Sequence, residues 1–594
     1  GTVYGGTNDV NLRTGDQTFN YLTKVVTSDN TTPGSNLPDE VAIDASALGK
    51  IQAGRIFIVA TKEGFGIKYS GDLLASRAGI IIDNQGNIDY NNIASEVGNI
   101  SVTSQKGSIT QRGISQTKNA SNDLTLNAFG DIANYGQFLS ARNINLTTSA
   151  TFNSQSTDLN LSDNDFTISA VNFTNLGQIA ANRDLNITAT TSLNNSSKLV
   201  AGRELTLSST AITNDDSIYA GNKINITASN YLTNNKDIIS LGLGLTDETT
   251  DDGILITAKT LNNNKQIAAK NNITINSNAL NNNTSNSKIL ALNDINLNAV
   301  LVDNSNANIK AANNLVLRNL TLNAPTIAGN FGVTNQATSL TNTNGTFYAG
   351  NFLDFDLGNL ADYTIIGNLQ SSGNLKIKAN NITNQTNLQA DGDIEIEAAD
   401  KFINGVLSGD NSNTKITSGA DLKITSNNLL SNYATLSSGT DLALTSRYGN
   451  INNNTNAEII AGKRYQVELE DGSKVWINTG ALSLLAKNGT VNQNSLNSIV
   501  VNGDYSLDVT DFVNTGRVDV AGNLTLNVSN NLVNEAYAMI FSGGNMNLNV
   551  AGSLINNYRS VIYSEGNLTI QKYAELNSDG SANPLYNPLN NRIT

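Results

Sequence analysis

Residues 199–207 read Leu-Val-Ala-Gly-Arg-Glu-Leu-Thr-Leu, and residues 218–226 read Ile-Tyr-Ala-Gly-Asn-Lys-Ile-Asn-Ile. Both follow one pattern: an aliphatic residue two positions before Ala or Ser, a small polar turn, and two aliphatic residues separated by one position. A fixed period of about 20 residues is typical of a solenoid, in which short units stack on one another. The pattern recurs at residues 179–187, 267–275, 289–297, 309–317, 540–548 and 562–570.

Each repeat unit alternates apolar and polar residues, which predicts short strands with one side chain inward and the next outward. Pairs such as Gly-Asn, Gly-Arg and Asn-Asn separate these strands and permit tight turns. One unit is too short to bury its own Ile and Leu side chains, whereas stacked units bury them in a continuous column. The sequence therefore predicts an all-β protein, a parallel β-helix with coils of about 20–22 residues. A helical solenoid is disfavoured because no sustained 3.6-residue spacing occurs.

Asparagine is the most frequent residue, and the repeats place it at the turns. Asparagine tolerates left-handed corners and can form stacked amide ladders between successive coils. The residues leave two interpretations open: structural corner positions, or a ligand-binding surface of exposed amides.

Composition excludes several functional classes. The net charge of −14, from 36 Lys and Arg against 50 Asp and Glu, disfavours nucleic acid as a partner. The chain contains neither Cys nor His, which excludes disulfides, His- or Cys-dependent nucleophilic triads and His/Cys zinc sites. No apolar run is long enough to predict a transmembrane segment.

The stretch that begins at Val41 reads Val-Ala-Ile-Asp-Ala-Ser-Ala-Leu-Gly-Lys-Ile-Gln-Ala-Gly-Arg-Ile-Phe-Ile. Together with the text up to Ile88, it resembles the end of the secretion domain of two-partner-secretion exoproteins. These are the filamentous haemagglutinin family and the contact-dependent growth inhibition exoproteins, and the downstream repeats resemble the haemagglutinin repeat. The Asn-Pro-Asn-Gly-Ile type of motif is missing, so we expect the chain to begin inside or after that domain.

The resemblance implies a right-handed β-helix that is secreted to the surface of a Gram-negative bacterium and associated with its outer membrane. It also implies export by an outer-membrane two-partner-secretion transporter. We expect a structural rod segment that presents a distal adhesive or toxin module to other cells, with a target-cell receptor or glycan as a further partner. Two alternatives stay open: a polysaccharide-binding or polysaccharide-degrading β-helix, and an adhesin that binds directly through its shaft.

Breaks in the period predict the domain organisation. The segments, in order, are the C-terminal part of a secretion-type domain (1–100), a regular β-helix (101–328), an irregular aromatic-rich insertion (329–373), the continued β-helix (374–570) with a hairpin insertion (463–478), and a linker or truncated end (571–594). A further interruption spans 240–253. Insertions in repeat proteins often carry recognition.

Two of these insertions collect aromatic residues. In each, a recognition surface competes with local packing, because aromatic side chains serve both purposes. The hairpin at 463–478 has the turn pair Asp471-Gly472 and the chain's single tryptophan. The candidate recognition residues are Phe347, Tyr348, Phe352, Phe355, Tyr363, Tyr465 and Trp476.

We expect no catalytic, cofactor or metal site, and hence no enzyme. A polysaccharide hydrolase or lyase would need carboxylates that converge on one face of adjacent coils. The candidates are also explained as solvated polar positions: Asp354, Asp356, Asp504, Asp508 and Asp511. An acidic stretch could supply oxygen ligands for Ca²⁺ or form a solvated loop: Asp247, Glu248, Asp251 and Asp252.

Overall fold

The structure, a computed structural model, describes residues 1–15, 17–20, 22–23, 26–28, 41–45, 49–243, 253–318, 339–359, 361–495 and 498–572. The described residues form strands and turns and include no helix, and therefore no helix that could cross a membrane. The chain divides into two units. The first holds Gly1–Asn281 and Asn286–Leu292, and the second holds Asn282–Ser285 and the described residues from 293 onward.

The strands of the first unit are Thr2–Tyr4, Asp9–Thr14, Gln17–Phe19, Val26–Ser28, Val41–Asp44, Lys50–Ala53, Arg55–Ala60, Gly66–Ala75, Ile80–Asn84, Ile88–Ser95, Ile100–Ser104, Ile109–Gln111, Ile114–Thr117, Leu124–Ala128, Ile132–Asn134, Gln137–Ser140, Ile144–Thr148, Thr151–Ser154, Asn160–Ser162, Phe166–Asn175, Ile179–Ala181, Leu185–Asn195, Leu199–Ala201, Glu204–Asn214, Ile218–Ala220, Lys223–Asn234, Ile238–Ser240, Gly253–Asn263, Gln266–Ala269, Asn272–Asn281 and Lys288–Ala291.

The strands of the second unit are Ile295–Asp303, Asn308–Ala311, Asn314–Arg318, Ser339–Thr341, Thr346–Ala349, Phe352–Asp356, Tyr363–Ile365, Asn368–Ser371, Asn374–Ala379, Ile382–Asn384, Asn387–Ala390, Ile394–Ala398, Lys401–Asn404, Lys415–Ser418, Leu422–Ser426, Leu429–Asn432, Thr435–Ser438, Leu442–Ser446, Asn450–Asn453, Glu458–Ala461, Arg464–Glu468, Lys474–Asn478, Leu482–Gln493, Ser498–Val501, Tyr505–Asn514, Arg517–Val520, Leu524–Val528, Leu532–Asn534, Met539–Ser542, Met546–Val550, Leu554–Asn556, Val561–Ser564 and Leu568–Gln571.

The coil that begins at Leu199 shows how the sequence folds. Leu199–Ala201 forms its first side, and Glu204–Asn214 forms the other two, with an irregularity in the pairing between Ser209 and Ala211. Each side pairs in parallel with its counterpart in the next coil. This arrangement is a parallel β-solenoid with coils of roughly 22 residues, which confirms the predicted fold class.

The solenoid interior consists of aliphatic columns. Leu205 pairs with Ile224 in the next coil, and Leu207 pairs with Ile226. All four side chains are at most 1 % exposed. The repeat pattern therefore predicted the inward residues correctly, although they form two neighbouring columns rather than one because they lie two positions apart on the same strand.

Two runs of buried asparagines form ladders beside the aliphatic columns, at the end of the third side of successive coils. In every step of these two runs the side-chain Nδ2 donates to the Oδ1 of the next coil, so the amides point the same way. In the first unit Asn175, Asn195, Asn214, Asn234 and Asn263 are linked by 2.9 Å hydrogen bonds. In the second unit Asn384, Asn404, Asn432 and Asn453 continue the pattern at 2.8–2.9 Å.

The ladder confirms the structural interpretation of these asparagines. Their side chains are 0–2 % exposed, so their amides are not available to an external ligand. Buried polar groups are stable only when they are hydrogen-bonded, and each amide satisfies the next.

Candidate recognition surface

The structure contains the hairpin predicted for 463–478. Arg464–Glu468 pairs antiparallel with Lys474–Asn478, and these two strands form a sheet of their own. Gly472 has φ +79°, which the tight turn requires. At the base, the N–H of Thr479 donates to the carbonyl of Lys463 at 3.0 Å. The hairpin is thus fixed at its base.

Both faces of the hairpin meet solvent. Paired residues of an antiparallel hairpin share a face, and the pairs Tyr465–Ile477 and Val467–Val475 give one face an apolar surface. Tyr465 is 48 % exposed. Exposed apolar side chains gathered on one short segment are typical of an interaction surface.

The opposite face of the hairpin carries Trp476, which is 52 % exposed. The Arg464 guanidinium lies 4.7 Å from the centre of its ring system, in a cation–π contact. Lys474 and Glu468 form a loose ion pair of 3.8 Å beside it. The contact with Arg464 holds the indole in place while much of its surface stays accessible.

Three of the aromatic candidates in 329–373 belong to the core. Phe347 and Phe355 are 0 % exposed and pack edge to face with ring centroids 5.0 Å apart. Tyr363 is 2 % exposed, and burial raises the pKa of its phenol. The rings of these three predicted recognition residues therefore lie inside the solenoid, where they contribute to its packing.

Tyr348 and Phe352 are partly exposed on the outer surface. The hydroxyl of Tyr348 lies 3.0 Å from that of Ser372 in the next coil. Thr346–Ala349 pairs with strands in the coils on both sides. The described residues 339–359 and 361–373 therefore form ordinary coils, in which aromatic residues occupy aliphatic positions, and residues 319–338 lie outside the described part.

Four of the five candidate catalytic carboxylates contact a neighbouring coil, and the fifth, Asp356, is bonded locally. The guanidinium of Arg318 donates to the Asp354 carboxylate, and the backbone N–H of Asn523 donates to Asp504 at 2.7 Å. Asp508 lies 3.6 Å from the Lys487 ammonium. The other two candidates accept backbone N–H groups: Asp511 from Asn531 at 3.0 Å, and Asp356 from Gly358 at 3.0 Å.

A charge ladder that sequence reasoning missed lies on the outer face of the second unit. The Lys376 ammonium contacts Glu395 at 2.8 Å and Glu397 at 3.1 Å, and Lys423 contacts Glu395 at 2.9 Å. Hydrogen bonding from Lys376, aided by Lys423, lowers the pKa of Glu395 despite partial burial. Equivalent residues of adjacent coils lie about 4.8 Å apart, so the alternation of Lys376, Glu395 and Lys423 places opposite charges next to each other.

The calcium candidates at 247–252 lie outside the described residues. Within the part of the chain that the structure describes, no three His, Cys, Asp or Glu side chains are grouped to hold a metal ion.

Sequence reasoning also missed a loop. The step from Asn404 to Asn432 is 28 residues, and the excess lies in the corner that follows Asn404. Residues 405–414 leave the coil there and border a cleft of about 590 Å³ with the corners of the next two coils. The lengthened step and the glycines at 405 and 409 were the available signals.

Comparison with known protein families gives one result. The family model described as "Haemagglutinin repeat" matches residues 110–163, 154–236, 246–319, 318–406, 370–422 and 389–463. These matches lie between 110 and 463, leave only 237–245 unmatched in that range, and cover more than half of the chain. No curated protein and no solved structure matches the chain.

Proposed function

Because the chain belongs to the haemagglutinin-repeat family, we propose that it is a rod segment of a large exoprotein that presents a distal adhesive or toxin module to other cells. Haemagglutinin repeats are found in secreted or cell-surface proteins, and the family is structural and adhesin-like. The observation that carries the proposal is the β-solenoid itself, in which aliphatic columns and an amide ladder continue from coil to coil. Such a structure supplies length and stiffness without a catalytic centre.

Coil deletion in the exoprotein that carries this chain tests the rod. Leu199 pairs with Ile218, so removing 199–217 deletes one coil and preserves the register. Removing 199–208 deletes only part of a coil and disrupts the register of the strands. We expect the first variant to fold and to keep contact with target cells, and the second to lose both. If the in-register variant folds and reaches the surface but loses cell contact, the coil has a specific role and the rod proposal is wrong.

The proposed export partner is an outer-membrane two-partner-secretion transporter of a Gram-negative bacterium, with the product kept at the cell surface. The stretch 41–88 supports this proposal through its resemblance to a secretion domain. The absence of cysteine agrees with a chain that crosses a membrane unfolded, since no disulfide forms beforehand. Deleting the cognate transporter should retain the protein inside the cell, and undiminished surface display without it would exclude this partner.

We propose that the hairpin at 463–478 is a surface that contacts a target-cell receptor or glycan. Its support is the exposed Tyr465 and Trp476 on a hairpin fixed at its base, because rigid exposed aromatic residues supply contact area at low entropic cost. Replacing 463–478 by Asn-Gly, or Trp476 by Ser, should reduce cell binding. Tyr448→Ser is the matched control, since Tyr448 is 66 % exposed and lies outside the hairpin. Equal binding by all variants would locate adhesion elsewhere on the shaft.

We further propose that the chain has no hydrolase or lyase activity. The support is the engagement of each candidate carboxylate within or between coils, where it stabilises stacking. A screen of the purified protein against pectins, alginate, glycosaminoglycans and mucin glycans tests this. Turnover that disappears in Asp504→Asn or Asp354→Asn would show that the polysaccharide-degrading alternative is correct.

A further inference from the structure

A cleft of about 590 Å³ lies on one corner of the second unit. The loop 405–414 forms one wall, and residues 433–435 and 454–458 of the two following coils form the rest. Ligand-binding clefts in proteins commonly measure about 300–1,000 Å³. The cleft therefore has room for a small organic ligand.

Local hydrogen bonds fix the wall formed by the loop. The Val406 N–H donates to the Asn411 Oδ1 at 2.9 Å, and the Asn411 Nδ2 donates back to the Val406 carbonyl at 3.0 Å. Gly405 has φ +95°, and a Cβ there would lie 2.7 Å from the Asn411 Oδ1 and 3.1 Å from the Tyr433 Cβ. The loop thus packs directly against the next coil, and this contact requires glycine.

The opposite wall is a tight turn. Asn456 adopts the left-handed conformation with φ +64°. The Ala457 N–H donates to the Asn454 carbonyl at 3.0 Å, and the Glu458 N–H donates to the Ala434 carbonyl at 3.0 Å. Since both walls are held by such bonds, a ligand would not have to order the loop, which favours binding.

Polar groups without protein partners line this cleft. Among the described residues, the Glu458 carboxylate, the Asn454 Oδ1 and the Thr435 hydroxyl take part in no hydrogen bond or ion pair. Tyr433 adds a half-buried aromatic ring, and its hydroxyl is likewise unpaired in the described part. An aromatic ring beside carboxylate and amide acceptors matches a sugar, which has an apolar C–H face and a rim of hydroxyl donors.

The charge of the lining selects among sugars. Asp410 and Glu458 lie in the lining, and it includes neither Lys nor Arg. The backbone N–H and hydroxyl of Ser412 hydrogen-bond Asp410 and lower the pKa of its carboxyl, so the cleft stays negative at neutral pH. Sialylated, uronic and sulfated sugars would be repelled by these carboxylates.

We propose that this cleft binds a neutral saccharide, with one sugar face against Tyr433 and its hydroxyls donating to Glu458 and Asn454. The inference concerns a site separate from the hairpin and does not rest on the rod function. A rod with no adhesive role could still hold this ligand, and a failure here would leave the rod proposal intact.

The test is binding of the full chain to an array of neutral oligosaccharides, with sialylated and sulfated glycans on the same array. We expect retention of neutral glycans alone. Tyr433→Ser removes the ring and should raise the Kd for neutral glycans at least about tenfold, as the loss of a central aromatic contact does. Glu458→Gln, which preserves size and folding, should raise the Kd several-fold, and Tyr448→Ser should leave the Kd unchanged.

Three results would overturn the proposal. One is the absence of any neutral glycan binding by folded parent protein. Another is retention of acidic glycans only. The third is equal affinity of the parent and Glu458→Gln, together with equal affinity of Tyr433→Ser and Tyr448→Ser when circular dichroism shows that all are folded.

Discussion

Removing one amide from the asparagine ladder tests how the coils are held in register. Asn214 is 0 % exposed, its Nδ2 donates to the Asn234 Oδ1, and its Oδ1 accepts from the Asn195 Nδ2, both at 2.9 Å. Asn214→Ala leaves the Nδ2 of Asn195 and the Oδ1 of Asn234 without these partners, in an interior that excludes water. The variant should therefore weaken three consecutive coils.

The cost follows from those two groups. Leaving a buried donor or acceptor unsatisfied costs about 1–3 kcal/mol, so two cost about 2–6 kcal/mol. The chain itself contains a break in the ladder, because Ile365, which has no amide, occupies the position that pairs with Asn384. Next to this break the Asn342 Nδ2 donates to the carbonyls of Gly345 at 3.2 Å and Ile366 at 3.3 Å. Since similar redirection can occur around residue 214, we expect about 2–4 kcal/mol.

Hydrogen exchange of the full chain measures this cost locally. A loss of about 3 kcal/mol corresponds to exchange roughly a hundredfold faster for backbone amides of the strands at 185–234. Strands such as Leu524–Val528 should keep their protection, because stability in a solenoid depends on neighbouring coils. Asn230→Ala, at an exposed position in the same coil as Asn234, is the control. If Asn214→Ala exchanges no faster than this control, the ladder does not stabilise the stack.

Other perturbations test the core and the outer face. Ile224→Asp places a carboxylate at a 0 % exposed site and should cost several kcal/mol by denaturant unfolding, whereas Thr227→Asp on the exposed side should cost little. Phe355→Ala leaves a cavity beside its aromatic partner and should cost about 3–5 kcal/mol, and an unchanged melting temperature would exclude its burial. The pKa of Glu395 is lowered by Lys376, so its stabilisation is present above its unfolded pKa of about 4.3 and is lost as pH falls through the lower folded pKa. The melting temperature of Glu395→Gln should therefore lie below that of the parent at pH 7 and converge with it as the pH falls below the folded pKa, and a constant difference would refute this linkage.

The repeat pattern determined the fold because it acts locally. Alternation places Leu205 and Leu207 inward whatever lies elsewhere in the chain, since successive side chains of a strand point to opposite faces. The hairpin likewise follows from its turn pair and the strands beside it. The stacking of asparagine could be predicted from composition, although the particular residues in the ladder are recognised only as the last position of the third side.

The tertiary structure decided which aromatic residues are accessible and where a cleft forms. Phe347 and Phe355 look like a surface cluster in the sequence, but their registers with the coils at 308–318 place both rings inside. The cleft is assembled from one loop and the corners of two later coils, so Asn411, Tyr433 and Glu458 become neighbours only through stacking. Periodicity defines what one coil buries, whereas contacts between corners depend on how far each insertion reaches along the stack.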